Sequence, residues 1–564
     1  MIHSIRPAAS MLAVCAFLTA CGGGYDGPPQ LPMATGAALS GSCSDLPVRL
    51  STLANTTLTA VTSVAAGSLT VGGQAVAAHC LVTGKMFNRT SPVDNNNYAI
   101  SFEMRLPLAW NGRFFHQGNG GIDGSVVTAT GTSGGGPITG ALQQGFAVLS
   151  SDAGHAGALG PNFGIDPQAR LDYGYQAVAK LTPMAKSVIK AAYTKGPDLS
   201  YFGGCSNGGR HAMIAATRYA ADYDGILASS PGYNLPKAAI ASIAGGQLYA
   251  SVASNPADIS TGFTTAERKL VGAAVLGKCD ALDGATDGLV QDVAACQAAF
   301  NLDRDVPTCS AARDGSCLSA AQKTAIGKIF SGPTTSNGTL IYSSFPYDPG
   351  VGGSGIPFWE FTAPLVLDSG AVGLIFKVPP ENAVGFNGPA FTLGANLDTL
   401  VAQVNATNAL YTESGMSFMT PPTPANMSTL KNRGGKIIVT HGVADPIFSV
   451  NDSEAWYKNL QAANGGDASN FARFFRIPGM GHCSGGPAAD QFDALTPLVN
   501  WVEKGEAPAT ILATARGAGN PGGVNTDLPA DWSAGRTRPL CPYPKVARYN
   551  GTGSLESASS FSCK

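Results

Sequence analysis

The feature that most constrains this chain is one pentapeptide, Gly204-Cys205-Ser206-Asn207-Gly208, set between two contrasting runs. Leu199-Ser200-Tyr201-Phe202-Gly203 before it has the composition of a buried strand, and Arg210–Ala216 after it reads as helix. A serine in G-x-S-x-G between strand and helix sits on a sharp turn that exposes its hydroxyl. Flanking residues without side chains make that turn possible. In a chain with 71 glycines the pentapeptide alone arises easily by chance. Its place between strand and helix gives it weight.

A serine hydroxyl is a poor nucleophile and needs a general base. The chain has only 7 histidines, so each can be weighed. His3 lies in the leader, His79 precedes Cys80 far from the motif, and His211 falls inside the helix after Ser206. His116 and His155 follow early strands and are expected near the site. His441 ends a strand and is expected either behind the catalytic residues or among the substrate-contacting residues. His482, in Gly479-Met480-Gly481-His482-Cys483, occupies a late loop after a strand and is the expected base. The acid should fall between nucleophile and base in chain order. Asp445, after the strand Lys436–Thr440, is the first choice, with Asp452 as the nearby alternative. The oxyanion hole is expected from the N–H groups of Asn207 and Gly121, the latter in the glycine loop Gly118–Gly121.

Cysteines bear on the same assignment. Of the 12, Cys15 and Cys21 fall in the leader, and the remaining ten suit a disulfide framework in an exported chain. Proximity in sequence suggests Cys43–Cys80, Cys279–Cys296, Cys309–Cys317 and Cys541–Cys563. That leaves Cys205 and Cys483, the immediate neighbours of Ser206 and His482. A bridge between them would bring nucleophile and base together. No metal spacing of the CxxC kind occurs.

The leader has Arg6 followed by the short apolar run Met11–Leu18, which suits an export signal and is too short for a membrane span. Leu18-Thr19-Ala20-Cys21 resembles a bacterial lipobox, in which Cys21 would carry lipid. An ordinary signal peptide is the alternative. The expected layout is signal peptide 1–20, flexible tether 21–42, catalytic domain 43–232 and 425–564, and an inserted lid domain 233–424. The protein is thus expected outside the cytoplasm, as an outer-membrane lipoprotein or a periplasmic or extracellular enzyme. Membrane contact would come only through the anchor. Charged residues are 13% of the chain and the formal net charge is −2, which gives no basic footprint for nucleic acid.

Within the insertion, Asp280-Ala281-Leu282-Asp283-Gly284-Ala285-Thr286-Asp287-Gly288-Leu289 carries carboxylates at steps of three and four. Three such groups favour a hard cation, calcium outside the cell, with the carbonyls of Ala285 and Leu289 completing the shell. An acidic turn without metal is the alternative. No catalytic cofactor is expected.

Taken together, the Cys205-Ser206 and His482-Cys483 pairs, the lid and the acidic loop resemble the tannase/feruloyl esterase family, from about Cys43 to Cys563. The stretches Trp110–Phe115, Phe163–Asp172, Cys279–Phe300, Pro478–Pro487 and Arg536–Pro544 are particularly similar to its MHETase-like branch, which hydrolyses mono(2-hydroxyethyl) terephthalate. The resemblance implies an α/β-hydrolase fold, a mostly parallel doubly wound sheet with a large lid. It also implies a Ser206–Asp445–His482 triad, a lid calcium, and an acyl pocket lined by Ile447 and Phe448. Lid aromatics such as Trp359 and Phe376 are expected to grip a ring. Two departures stand out. The branch has Glu directly after the nucleophile, where this chain has Asn207. It also holds its substrate's free carboxylate with a lid arginine. Between Phe345 and Met427 this chain has no arginine, and its only lysine is Lys377. The expected activity is therefore hydrolysis of small aromatic esters by a monomeric serine carboxylesterase, with neutral esters handled at least as well as charged ones. Feruloyl or tannin esters of plant phenolics are the runner-up substrates, and a non-catalytic ligand-binding surface lipoprotein is the alternative from another class.

Overall fold

Nine strands form the central sheet among the described residues: β1 (Thr56–Val64), β2 (His79–Thr90), β3 (Asn97–Pro107), β4 (Arg113–Gly118), β5 (Ala147–Ser151), β6 (Leu199–Cys205), β7 (Gly225–Ser229), β8 (Lys436–Gly442) and β9 (Ala472–Ile477). The structure is a computed structural model that describes Met1, residues 28–136 and residues 140–564. The order across the sheet is β9-β8-β7-β6-β4-β5-β3-β2-β1. Six strands from β5 to β9 by way of β4 and β6 pair in parallel, and β3, β2 and β1 extend the sheet antiparallel. This is the mostly parallel α/β-hydrolase sheet.

The parallel strands are short and mostly buried. Every residue of β5, β7 and β8 is buried, as expected where helices cover both faces. One face packs on α1 (Ala177–Tyr193), α2 (Asn207–Arg218) and α5 (Val450–Ala463), and the other on α6 (Leu495–Lys504). The antiparallel strands read differently. The first half of β3 alternates buried and partly exposed residues, because only one of its faces is fully covered there.

Between β7 and β8 the chain adds no strand to this sheet. It runs through α3 (Leu235–Val252), several shorter helices and the long helix α4 (Phe358–Phe376). This segment has a core of its own around Tyr249, Phe263, Val271, Val275, Phe361 and Leu318. Cys279–Cys296 and Cys309–Cys317 close two of its loops. A second cluster, with Phe376 from α4 and Ile447 and Phe448 from the loop after β8, joins it to the sheet.

The expected tether divides. The leader and Cys21 lie outside the described residues. Residues 28–42, however, are docked on the domain. Gln30 donates to the Val502 carbonyl at 2.7 Å, and the Ala34 N–H donates to Glu503 at 3.1 Å. Thr35 donates to Asp198 through its N–H and its hydroxyl, and Ala37–Ala38 pair with Ala109–Trp110. The reason is carboxylates with lone pairs to spare. Glu503 is a buried carboxylate already bonded by Arg113 and Tyr201, and this segment supplies a further donor.

Candidate active site

The loops that follow β4, β6, β8 and β9 all emerge at the carboxyl edge of the parallel sheet, where open α/β sheets place ligands. The turn after β6 is sharp. Ser206 has φ 67° and ψ −128°, a left-handed conformation that costs a non-glycine residue on the order of 1–3 kcal/mol. Its two flanking glycines are required by contact. A Cβ on Gly204 would stand 2.5 Å from the Gly118 carbonyl oxygen, and one on Gly208 only 2.2 Å from it. The motif glycines therefore let the loop after β4 close onto the turn that carries Ser206.

The three expected side chains meet. The Ser206 hydroxyl donates to His482 Nε2 at 2.8 Å, and His482 Nδ1 donates to Asp445 Oδ2 at 2.7 Å. That pattern leaves Nε2 free of its proton and facing the hydroxyl. Asp445 is buried, and its Oδ1 accepts from the N–H groups of Ile447 and Phe448 at 3.1 and 3.0 Å. Burial works against the Asp445 carboxylate, but His482 and His441 beside it outweigh burial and hold its pKa below the ordinary value. Asp452, the alternative acid, sits in α5 and accepts instead from Asn234, Tyr233 and Ser343. Cys205 and Cys483 are bonded, with Cα atoms 6.0 Å apart, and the other four bridges form as well.

Gly121 and Asn207 line the same cavity as Ser206. A set of polar contacts holds their loops. Tyr173 donates to the Gly121 carbonyl at 3.4 Å, and Asn119 anchors the loop to β5 by donating to the Ser151 carbonyl at 2.7 Å. Asp123, which sequence reasoning missed, accepts from the Asn207 side-chain amide and stands 3.4 Å from His211 Nε2. Arg210 Nε then donates to Asn207 Oδ1 at 2.7 Å. Burial pushes Asp123 well up and His211 well down, so this cluster holds its protons differently from the same groups in water.

The cavity over Ser206 is walled by Ile447 and Phe448 on the sheet side and by Trp359 and Phe376 from α4, as expected. The Trp359 and Phe448 rings lie edge-on to the His482 ring, with centroids 4.7 and 5.3 Å away. Sequence reasoning missed Ile122, Leu235, Ala239 and Asp368 in the same walls. No sequence pattern marks them, because they come from three separate segments, the loop after β4, α3 and α4. His441 is a correction. It is fully buried behind the acid loop, its Nδ1 bonded to Ser453 and its Nε2 to the Phe448 carbonyl, both at 2.8 Å. It therefore braces Asp445 and does not face substrate. His116 and His155 are also elsewhere. His116 bonds Tyr223, His155 stacks on Phe163, and burial lowers their pKa values to about 3 and about 4. Lys377, the one lid lysine in that span, is paired with Glu381.

In the acidic loop, Asp280 accepts from the N–H groups of Asp287 and Gly288, and Asp283 from those of Ala285 and Gln291. Asp287 pairs with Arg538. Among the described residues no group of three or more His, Cys, Asp or Glu side chains is clustered to hold a metal by itself. A cation here would have to draw on main-chain carbonyls as well.

A half-buried serine on a strained turn, an imidazole on it and a buried carboxylate behind, in the chain order serine, aspartate, histidine on this sheet, define a serine hydrolase. The family model described as tannase and feruloyl esterase matches residues 80–564, and the chain belongs to that family. It is 39% identical over 535 residues to mono(2-hydroxyethyl) terephthalate hydrolase of Piscinibacter sakaiensis, covering 88% of this chain and 87% of that one. It is 28% identical to a probable feruloyl esterase B-1 of Neosartorya fischeri, covering 82% of each. The solved feruloyl esterase B from Aspergillus oryzae has the same fold, with TM-score 0.71 and 24% identity over 92% of this chain and all of that one. The chain is a carboxylic ester hydrolase.

The Cys205–Cys483 bridge closes a loop of 278 residues. Replacing both cysteines by alanine should lower stability by roughly 2–4 kcal/mol and lower kcat more than it raises KM. Thermal melting and steady-state kinetics check it. Unchanged kcat would show that the bridge does not hold base to nucleophile.

Proposed function

We propose that this chain hydrolyses small aromatic esters by acyl transfer through Ser206. The observation that carries the reading is the continuous Ser206–His482–Asp445 hydrogen-bond chain at the floor of a cavity with aromatic and aliphatic walls. His482 takes the proton of Ser206 as the oxygen attacks the ester carbonyl. The N–H groups of Gly121 and Asn207 receive the developing oxyanion. His482 returns the proton to the departing alcohol. Asp445 keeps its negative charge throughout and stabilises the imidazolium. Water, deprotonated by the same imidazole, then releases the aromatic acid and restores Ser206.

The substrate's free end would meet no cation. The cavity walls carry no lysine or arginine. Neutral esters are therefore expected to be turned over at least as well as acidic ones. Turnover of p-nitrophenyl, bis- and mono(2-hydroxyethyl) terephthalate esters by wild type and Ser206→Ala tests both statements. The variant should lose about 10⁴-fold or more in kcat, and the mono-ester should not exceed the bis-ester in kcat/KM. Equal rates for variant and wild type would remove the acyl-enzyme mechanism.

Calcium in the Asp280–Leu289 loop belongs to the same reading, held by Asp280, Asp283, Asp287 and the carbonyls of Ala285 and Leu289. The support is charge balance: Arg538 pairs with Asp287, and no salt bridge among the described residues reaches Asp280 or Asp283. A hard cation would neutralise that excess and stiffen the lid beside Cys279–Cys296. Chelation should lower Tm by several degrees, and added calcium should restore it. An unchanged Tm after exhaustive chelation would remove the ion.

Five disulfides suit an oxidising compartment, which supports export. With Cys21 as the lipid-bearing residue, radiolabelled palmitate should mark the wild-type chain and not Cys21→Ser. Equal labelling would exclude that anchor.

A further inference from the structure

We infer that Asp368 determines specificity in the substrate cavity by hydrogen-bonding a hydroxyl at the substrate's far end and excluding a carboxylate from that place. The inference rests on the esterase reading above and adds the chemistry of the group the enzyme selects.

Asp368 lies on α4, the lid helix that also contributes Trp359, Leu367, Ala371 and Phe376 to the cavity over Ser206. Only 3% of its surface is exposed, and its Oδ2 has no hydrogen-bond partner. A buried acceptor left unpaired is costly, and a buried isolated charge more so. Buried unpaired groups of this kind persist where a ligand completes them. The remaining walls supply little to complete Asp368. Ile122, Leu235, Ala239, Ile447 and Phe448 have no polar side-chain atoms, and the Tyr173 hydroxyl is directed to the Gly121 carbonyl. The Ser242 hydroxyl bears on this carboxyl from α3, and the donor for the unpaired Oδ2 is left to the substrate.

The surrounding charges decide which donor. The nearby cations are committed elsewhere. Lys377 pairs with Glu381, and Arg170 donates to the carbonyls of Gly164, Leu374 and Lys377. Arg210 bonds Asn207 and the carbonyls of Tyr173, Gly174 and Met419. Burial pushes the Asp368 carboxyl up to about 7, with only the Ser242 hydroxyl working against it. In either protonation state it can bond a hydroxyl, as acceptor when ionised and as donor or acceptor when neutral. A substrate carboxylate would instead set two acidic groups together without a counter-charge. The ligand class is thus a neutral aromatic ester bearing a hydroxyl, on the ring or on a hydroxyalkyl arm.

The test uses the full mature protein as wild type, Asp368→Asn and Asp368→Leu, with Tm recorded for each. Two matched pairs are compared by kcat/KM: methyl 4-hydroxycinnamate against methyl cinnamate, and bis- against mono(2-hydroxyethyl) terephthalate. Wild type should favour the hydroxylated or neutral member of at least one pair by about tenfold or more. Asp368→Leu should bring that ratio near one. Asp368→Asn, which keeps the hydrogen bond and removes the charge, should keep the preference for a ring hydroxyl and raise the mono-ester relative to the bis-ester. A wild-type ratio near one in both pairs would overturn the inference. So would an unchanged ratio in Asp368→Leu. If the leucine variant does not fold, an unchanged mono-to-bis ratio in Asp368→Asn overturns it. Wild type that turns over none of the four esters would instead count against the esterase reading itself.

Discussion

The bond between Cys205 and Cys483 fixes the one distance on which the site depends. Ser206 and His482 are 276 residues apart in the chain, and their 2.8 Å hydrogen bond must survive the motion of everything between them, the lid included. The sheet alone places the two loops at the same edge, but loops at an edge can drift by an ångström. A misplacement of that size is enough to lower rates by orders of magnitude. A covalent link one residue from each reacting group removes most of that freedom. The lid can then be a large insertion that shapes the cavity without setting the nucleophile–base distance.

The same economy governs the acid and the oxyanion loops. Asp445 is buried and yet kept ionised, because two N–H groups, His482 and the buried His441 converge on it. His441 thereby fixes the loop that carries both the acid and the cavity residues Ile447 and Phe448. On the opposite side, Asp123 ties the loop after β4 to the first turn of α2 through Asn207. A glutamate in place of Asn207 would set a second carboxylate against Asp123. An amide there donates to Asp123 and accepts from Arg210 at once, so the buried cluster is satisfied without an added charge.

Much of this was legible in the sequence because the signals were local and redundant. The G-x-S-x-G turn was bracketed by a strand and a helix, the base and nucleophile each adjoined a cysteine, and the central parallel strands were continuous apolar runs. What was hidden was set by packing. The strands β1 to β3 pair antiparallel at the end of the sheet, and their half-buried alternation resembles that of exposed segments. Residues 28–42 have the composition of a linker, and only the acceptors they reach, the buried Glu503 and the more exposed Asp198, show why they dock. His441 ends β8, and its side chain turns behind the acid toward Ser453 and the Phe448 carbonyl, since sequence does not say which side of the sheet a strand-end side chain takes. Asp123 and Asp368 are single carboxyls in unremarkable stretches, and each acquires meaning only from what the fold sets beside it.

The lid makes the clearest case for reading function from packing. A lid arginine and a buried lid aspartate are opposite solutions to the same problem, which is how to hold the end of an aromatic ester remote from the scissile bond. An arginine favours a substrate that is already an acid. A buried carboxyl without a cation favours one that still carries its hydroxyl. The Ser206 machinery is indifferent to that choice, because its hydrogen bonds act only at the carbonyl. One side chain on α4 can therefore change which ester is hydrolysed while every atom that moves in the reaction stays where it is.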